Sequence, residues 1–274
     1  MELPDGVLLP CFPRGKRSDV ACGDRVDIQR TSDDQGVIEA IQPRTSLLYR
    51  SNVVRQKLIA ANVDQIVIVV ATEPGFSDEL VTRALLAAES EEIEPLIVLN
   101  KCDLSERVPA ARAQLAVFAA LGYRIVELSA RDHAEDLRPE LFGYTSVLVG
   151  QSGMGKSTLV NALVPDAGAA TREISAALDS GKHTTTHATL YHLDAESELI
   201  DSPGLQEFGL GHLDRQEIEH AFREFRPYLG QCRFRDCHHD REPDCALTAA
   251  VAAGRIDPRR FTVYHRIIGT QRVD

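Results

Sequence analysis

Residues Gly150–Gln151–Ser152–Gly153–Met154–Gly155–Lys156–Ser157 fit G-x-x-x-x-G-K-[ST], the pattern of a loop that wraps a polyphosphate. The glycines let backbone N–H groups turn inward around phosphate oxygens, and a helix N-terminus behind them adds a favourable dipole. Lys156 supplies a cation for the outer phosphates, and the Ser157 hydroxyl suits Mg²⁺. A second pattern, Asn100–Lys101–Cys102–Asp103, has the form N-K-x-D. The carboxylate of Asp103 can accept hydrogen bonds from both N1–H and the 2-amino group of guanine, a pairing that adenine does not offer. Asn100 is expected at the other edge of the purine, and the Lys101 stem over its face. Ser129–Ala130 lies one strand later, where a backbone N–H can meet guanine O6.

Two further patterns follow the phosphate loop. Residues 165–187 form a long connection that contains Gly181, His183, Thr184, Thr185 and Thr186, and a loop of this kind is a candidate switch ordered by the γ-phosphate. Thr186, or Thr185 beside it, is expected to complete the Mg²⁺ shell. Asp201–Ser202–Pro203–Gly204 is D-x-x-G, which places Asp201 near the Mg²⁺ shell and the Gly204 N–H at the γ-phosphate. Where hydrolysing enzymes of this kind often carry a water-orienting glutamine, this chain has Leu205, with Gln206 one position too late. Hydrolysis by the isolated chain is therefore expected to be slow, and His183 is the candidate to orient the water.

Towards the C-terminus, Cys232, Cys237, His239 and Cys245 offer three thiolates and an imidazole, a closed tetrahedral set for one structural Zn²⁺. His238 is the rival imidazole. Such a site would stabilise a segment too small to hold a core by itself, on the order of 10 kcal/mol.

The elements that must position these residues follow from hydrophobic periodicity. Ile66–Ala71 is a continuous apolar run, as in a strand buried on both faces of a parallel sheet. Helical spacing over Ser77–Ser90, strand Pro95–Leu99, helix Pro109–Leu121, strand Arg124–Leu128, a helical stretch near Asp136–Phe142 and strand Val147–Val149 complete an alternating α/β pattern. Strands Thr189–Leu193 and Ser197–Ile200 come after the phosphate loop, and short helices over Ala246–Ala253 and Pro258–Ile268 close the chain. Each chemical motif then stands at the carboxyl end of a strand, where open α/β sheets bind ligands. Residues 1–60 differ in texture. Strands are expected at Val7–Leu9, Arg25–Ile28, Gly36–Ile41 and Ser46–Tyr49, separated by turn residues, as in a small all-β module.

The 274 residues carry a net charge of −11, and the excess acid lies between 61 and 231, whereas both ends are slightly basic. That excludes a generic nucleic-acid binder and leaves the ends free to approach phosphate backbones. Arg14, Lys16, Arg17, Arg44, Arg50, Arg55 and Lys57 form either a basic face or a solvated surface. Arg259, Arg260 and Arg266 either touch RNA or face water. No apolar run reaches membrane-spanning length and no signal peptide is recognisable, so a cytoplasmic, monomeric protein without a membrane partner is expected.

The motifs occur in the order N-K-x-D, Ser-Ala, phosphate loop, threonines, D-x-x-G. This is the usual guanine-nucleotide cycle opened at a different point, a circular permutation. In that order, and in Gly23–Val26, Asn62–Asp64, Gly181–Thr186 and the Cys-Cys-His-Cys set, the chain resembles the bacterial ribosome small-subunit-dependent GTPase A family. The resemblance implies an N-terminal OB-like barrel (1–60), a circularly permuted P-loop GTPase domain (61–211) and a zinc-binding helical domain (212–274). It implies binding of GTP and GDP with Mg²⁺ at Asn100–Asp103 and at Gly150 through Thr158, and zinc on Cys232, Cys237, His239 and Cys245. Its partner would be the small ribosomal subunit and its rRNA, and its activity a GTP hydrolysis stimulated by that subunit in late maturation. The first barrel strand is expected to be missing or very short. A permuted GTPase serving the large subunit, and an RNA-binding module that keeps nucleotide as a structural ligand, are the competing readings.

Overall fold

The computed structural model describes residues 1–14, 19–52, 55–164, 167, 188–202 and 209–271, with the backbone only for 50–52, 55–57 and 271. His183, Thr184, Thr185, Thr186, Gly204, Leu205 and Gln206 lie outside the described residues.

Six strands form the central sheet: β6 (Gln65–Ala71), β7 (Glu94–Asn100), β8 (Arg124–Glu127), β9 (Thr145–Val149), β10 (Thr189–His192) and β11 (Glu198–Asp201), in the spatial order β10-β11-β9-β6-β7-β8. All pairings are parallel except β10–β11. Every residue of β6 is buried, which explains its unbroken apolar run: helices cover both faces, so no position is left for alternation. The chain runs outward from β6 to β8 and then returns to β9 beside β6, so the strand order reverses between β6 and β9. That reversal opens a crevice at the carboxyl ends of the two strands. The phosphate loop follows one of them and Thr72–Glu73–Pro74 the other.

Helix α1 (Asp78–Ser90) begins where Ser77 Oγ accepts the Glu79 N–H at 3.2 Å, with Asp78 and Glu79 complementing the dipole of the first turn. Helix α2 spans Val108–Ala120, α3 Arg138–Leu141 and α4 Lys156–Leu163. Beyond the sheet lie α5 (Arg215–Ala221), α6 (Ala246–Ala252) and α7 (Pro258–Gln271). Hydrophobic periodicity does not mark α5. It is marked instead by a capping box, in which Asp214 Oδ1 accepts from Glu217 N–H and Glu217 Oε2 from Asp214 N–H.

The N-terminal strands are β1 (Cys11–Pro13), β2 (Val26–Arg30), β3 (Gly36–Ile41), β4 (Leu47–Asn52) and β5 (Arg55–Ala61). The expected strand Val7–Leu9 is absent. That segment makes a single bridge, Leu8 to Glu2, and the strand falls on Cys11–Pro13 instead. Strand β5, which the alternation left unassigned, pairs antiparallel with β4. Among the described residues the five strands form two sheets, β1-β3-β2 and β4-β5, and the Cys22–Ala60 bridge joins β5 to the segment before β2 without closing a ladder.

The module meets the sheet through the Gly23–Val26 and Asn62–Asp64 motifs. Asn62 Nδ2 donates to Gly23 O at 2.9 Å while its Oδ1 accepts the Thr45 N–H at 2.9 Å. Gly23 has φ of 89°, and a Cβ there would stand 2.3 Å from Ala61 O, so only glycine fits. Arg44, a candidate for a basic face, instead grips Asp24 through Nε and Nη2, both at 2.7 Å. Hydrophobic packing crosses both sequence boundaries: Leu48 and Ile59 of the β module, the inner face of α1, and Phe222, Phe225 and Tyr264 near the C-terminus belong to one core.

Candidate functional site

Five strand ends meet at the carboxyl end of the sheet around an open cleft of about 740 Å³. Asn100, Lys101 and Asp103 line it after β7, Ser129 and Ala130 after β8, Ser152, Gly153, Gly155, Lys156, Ser157 and Thr158 after β9, and Asp201 at the end of β11. Thus residues dispersed between 100 and 201 share one surface, as the carboxyl-end rule requires. Gly150, Gln151 and Met154 belong to the same loop but face α1, and Cys102 turns inward, its thiol donating to Leu99 O at 3.2 Å.

The phosphate loop depends on left-handed backbone that a side chain would strain. Gly150 has φ of 147°, and a Cβ there would meet Val69 O at 2.3 Å; Gly155 has φ of 92°, and its Cβ would meet Asn100 Nδ2 at 2.3 Å. Gly155 then opens α4, which aims its first N–H groups at the cleft. Lys156 Nζ donates to Gly150 O and, at 2.9 Å, to Gln151 O. Burial lowers the Lys156 pKa, and Asp201 opposes that shift; burial in turn raises Asp201, with Lys156 pulling the other way. Both line the cleft, where Ser157 and Asp201 offer the hard oxygen donors that Mg²⁺ prefers.

Asn100 is held within the wall of the cleft. Its side chain is 1% exposed. Its Nδ2 donates to Met154 O at 2.8 Å, and its Oδ1 accepts from Ala130 N–H at 2.9 Å and from Lys101 N–H at 2.7 Å. Both acceptor lone pairs are engaged, so Asn100 ties three loops together at the wall of the cleft it lines. The same bond engages the Ala130 N–H, one backbone donor of the Ser129–Ala130 turn. Lys101, at a φ of 62°, sends Nζ to Glu73 O and Gly153 O, both at 2.7 Å, which lays its stem across the gap between the loops. Asp103 is exposed at the rim, and Ser129 Oγ donates to Asp132 Oδ2 at 2.8 Å.

Sequence reasoning missed four residues of the cleft wall: Glu73, Pro74, Leu104 and Arg131. The signal was available, because each follows a strand end or a recognised motif by one to three positions. Glu73 is held by an ion pair to Arg107 at 2.9 Å, and Pro74 rests 3.6 Å from the position of a Gly153 Cβ.

Near the C-terminus, the ligand atoms of Cys232, Cys237, His239 and Cys245 all lie within 4.8 Å of one another. The Cys232 and Cys245 sulfurs are 4.0 Å apart, and His239 Nδ1 is 3.5 Å from the first and 3.3 Å from the second. A tetrahedral Zn²⁺ with bonds of about 2.3 Å to sulfur and 2.0 Å to nitrogen would need edges of about 3.8 Å and 3.5 Å, so the donors fit that ion. The Cys237 thiol is raised to about 12, chiefly by burial; at Cys245 burial also raises the pKa, but the hydrogen bonds from Thr248 and His239 bring it down to about 7. His239 Nε2 faces Glu219 Oε1 at 3.5 Å, the orienting carboxylate that metal-bound imidazoles usually have. His238 points away, with Nδ1 2.7 Å from Arg215 Nη1, so the choice between the two imidazoles falls on His239.

Of the three C-terminal arginines, Arg260 is neither at RNA nor in water. It is 1% exposed. Its Nε donates to Glu224 Oε1 and its Nη1 to Thr82 Oγ1, both at 2.6 Å, and its guanidinium lies over the rings of Phe222 and Phe118. Arg259 is half-exposed and pairs loosely with Asp78 at 3.6 Å. Among the described residues no helix is long and apolar enough to cross a membrane.

The model of the RsgA GTPase family matches residues 41–211. The chain is 57% identical over 267 residues to the small ribosomal subunit biogenesis GTPase RsgA of Burkholderia pseudomallei, covering 96% of this chain and 85% of that protein. It is 53% identical over 270 residues to the protein of the same name from Nitrosospira multiformis, covering 98% and 86%. Among solved structures, YjeQ from Thermotoga maritima superposes with a TM-score of 0.74 at 30% identity over 99% of this chain and 92% of that one. YloQ, described as a circularly permuted GTPase, gives 0.69 at 28% identity over 97% and 87%.

Proposed function

The chain belongs to the RsgA GTPase family and is a GTP hydrolase with a permuted α/β fold, and on that premise we propose that it acts in biogenesis of the small ribosomal subunit, which stimulates its hydrolysis late in maturation. The observation that carries the reading is the single cleft that joins Asp103, the phosphate loop and Asp201 from three strand ends.

In this reading guanine sits between Asp103 and the Ser129–Ala130 turn, with the Lys101 stem against one face. Asp103 accepts from N1–H and the 2-amino group, which selects guanine over adenine. Arg131, on the same wall, provides a second cation beside the base. The N–H groups from Gly153 to Thr158 and the Lys156 ammonium hold the phosphates, and the glycines make that approach sterically possible. Mg²⁺, when bound, neutralises charge on the transferring phosphoryl group. Ser157 and Thr186 would hold it, with Asp201 beside that shell. Leu205 cannot orient water, which supports a slow unassisted reaction and a role for the subunit, with His183 as the candidate to hold the attacking water.

We read residues 1–60 as an OB-like barrel, supported by five strands in sequence and the Cys22–Ala60 bridge, and 212–274 as a zinc-bearing helical segment. Both would meet rRNA, with the protein acting as a cytoplasmic monomer. The deciding experiment is phosphate release from GTP by the purified chain, alone and with small or large ribosomal subunits separately. Stimulation by the small subunit alone is expected. Stimulation by the large subunit would favour the competing particle, and no turnover under any condition would leave nucleotide as a structural ligand.

A further inference from the structure

Helix α1 presents two faces to two different sites. Ser77, Leu80, Val81 and Ala84 recur at helical spacing and enclose, with Gly150, Gln151 and Met154, a cavity of only about 20 Å³ beneath the phosphate loop. About 120° around the helix, from 100° per residue, lie Asp78, Thr82 and Glu89. Each of these meets an arginine of the C-terminal segment: Asp78 meets Arg259, Thr82 meets Arg260, and Glu89 takes Arg223 at 2.5 Å and Arg226 at 2.6 Å. The helix that backs the phosphate loop is therefore fixed from behind by the zinc-bearing segment.

The central contact is buried and continues to the metal ligands. Thr82 is 0% exposed, and its Oγ1 accepts from Arg260. One turn further along α7, the Tyr264 hydroxyl donates to Glu219 Oε1 at 2.6 Å, and the same oxygen faces His239 Nε2. From His239 to the phosphate loop, each step is thus a hydrogen bond, an ion pair or a packed helix face.

We propose that Arg260 is a positioning residue of the nucleotide site, holding α1 between the zinc site and the phosphate loop so that zinc and guanine nucleotide reinforce each other's binding. The inference rests on the GTPase reading and adds a coupling to it. Two sites biased through one element must be coupled reciprocally: if zinc tightens GDP by some factor, GDP tightens zinc by the same factor.

The test uses the full-length zinc-loaded protein, with fluorescent GDP titration for the nucleotide and competition with a zinc chelator for the metal. In the unaltered protein, saturating GDP is expected to lower the zinc Kd by about fivefold or more, the lower range of measured couplings. Thr82→Ser keeps the acceptor and should keep the coupling. Thr82→Val keeps the volume, loses the acceptor, and should reduce the effect to less than about twofold, with GDP affinity weakened by the lost factor. Tyr264→Phe, which leaves Thr82 and Arg260 in place, should reduce it as well. A zinc Kd indifferent to GDP in the unaltered protein overturns the proposal. So does full coupling in Tyr264→Phe, which decides the matter even where Thr82→Val fails to fold. Failure of GDP to bind the zinc-loaded protein at all is a different result, because it removes the nucleotide reading itself.

Discussion

Replacing Asn100 by alanine should damage the nucleotide site by releasing the loops that form it. The carboxamide is almost fully buried and makes three hydrogen bonds, to Met154 O, Ala130 N–H and Lys101 N–H, at 2.7–2.9 Å. At about 0.5–1.5 kcal/mol for each net hydrogen bond, truncation costs roughly 1.5–4.5 kcal/mol of stability. The three orphaned groups lie on the loops that form the cleft, so a share of about 1.4–2.8 kcal/mol in the bound state corresponds to about ten- to hundredfold weaker GDP. Asn100→Asp sharpens the test, because it preserves shape and acceptors but turns an oxygen toward Met154 O, where the native group donates. A buried carboxylate there must either remain charged opposite a carbonyl or take up a proton, and both are costly. Urea denaturation and fluorescent GDP titration measure the two effects. If Asn100→Ala binds GDP within a factor of two of the unaltered chain at unchanged urea midpoint, Asn100 does not organise the loops.

Asp103→Asn should weaken GTP and GDP at least about tenfold and improve binding of xanthosine nucleotides, whose 2-oxo group accepts where guanine donates; competition titrations read both. Arg260→Met alone leaves Glu224 buried without its partner and should cost about 3–5 kcal/mol in urea denaturation, whereas Arg260→Met with Glu224→Leu should recover most of that; a single variant as stable as the unaltered chain would contradict the buried pairing. Cys245→Ser, or chelation of the unaltered protein, should abolish stoichiometric zinc and remove hydrogen-exchange protection from α5 and α7, by a loss of several kcal/mol within the roughly 10 kcal/mol scale of structural zinc. Unchanged protection after verified metal removal would deny the site its structural role.

The sequence by itself determined the chemistry and the order of the motifs. A phosphate loop, N-K-x-D and D-x-x-G are local patterns whose donors and acceptors follow from residue type, and the apolar run of β6 announces its own burial. What it could not determine was which partner each polar group would find. Beyond the purine edge expected of Asn100, the reversal of strand order between β6 and β9 brings Met154 and Ala130 to its carboxamide from distant chain positions. Arg44, a candidate for a basic face, is taken by Asp24, 20 residues away. Arg260 has the composition of a surface cation and sits in the core, because α1 offers Thr82 and α5 is followed by Glu224 just where the guanidinium needs acceptors. His239 and His238 are adjacent and chemically equal, and only the packing of Glu219 and Arg215 separates ligand from bystander. Strand β5 escaped notice because its pairing with β4 is set across a register shift, not by alternation along its own residues. Residue types fix what a group can do; the contacts that choose among those possibilities are long-range, and the tertiary fold alone supplies them.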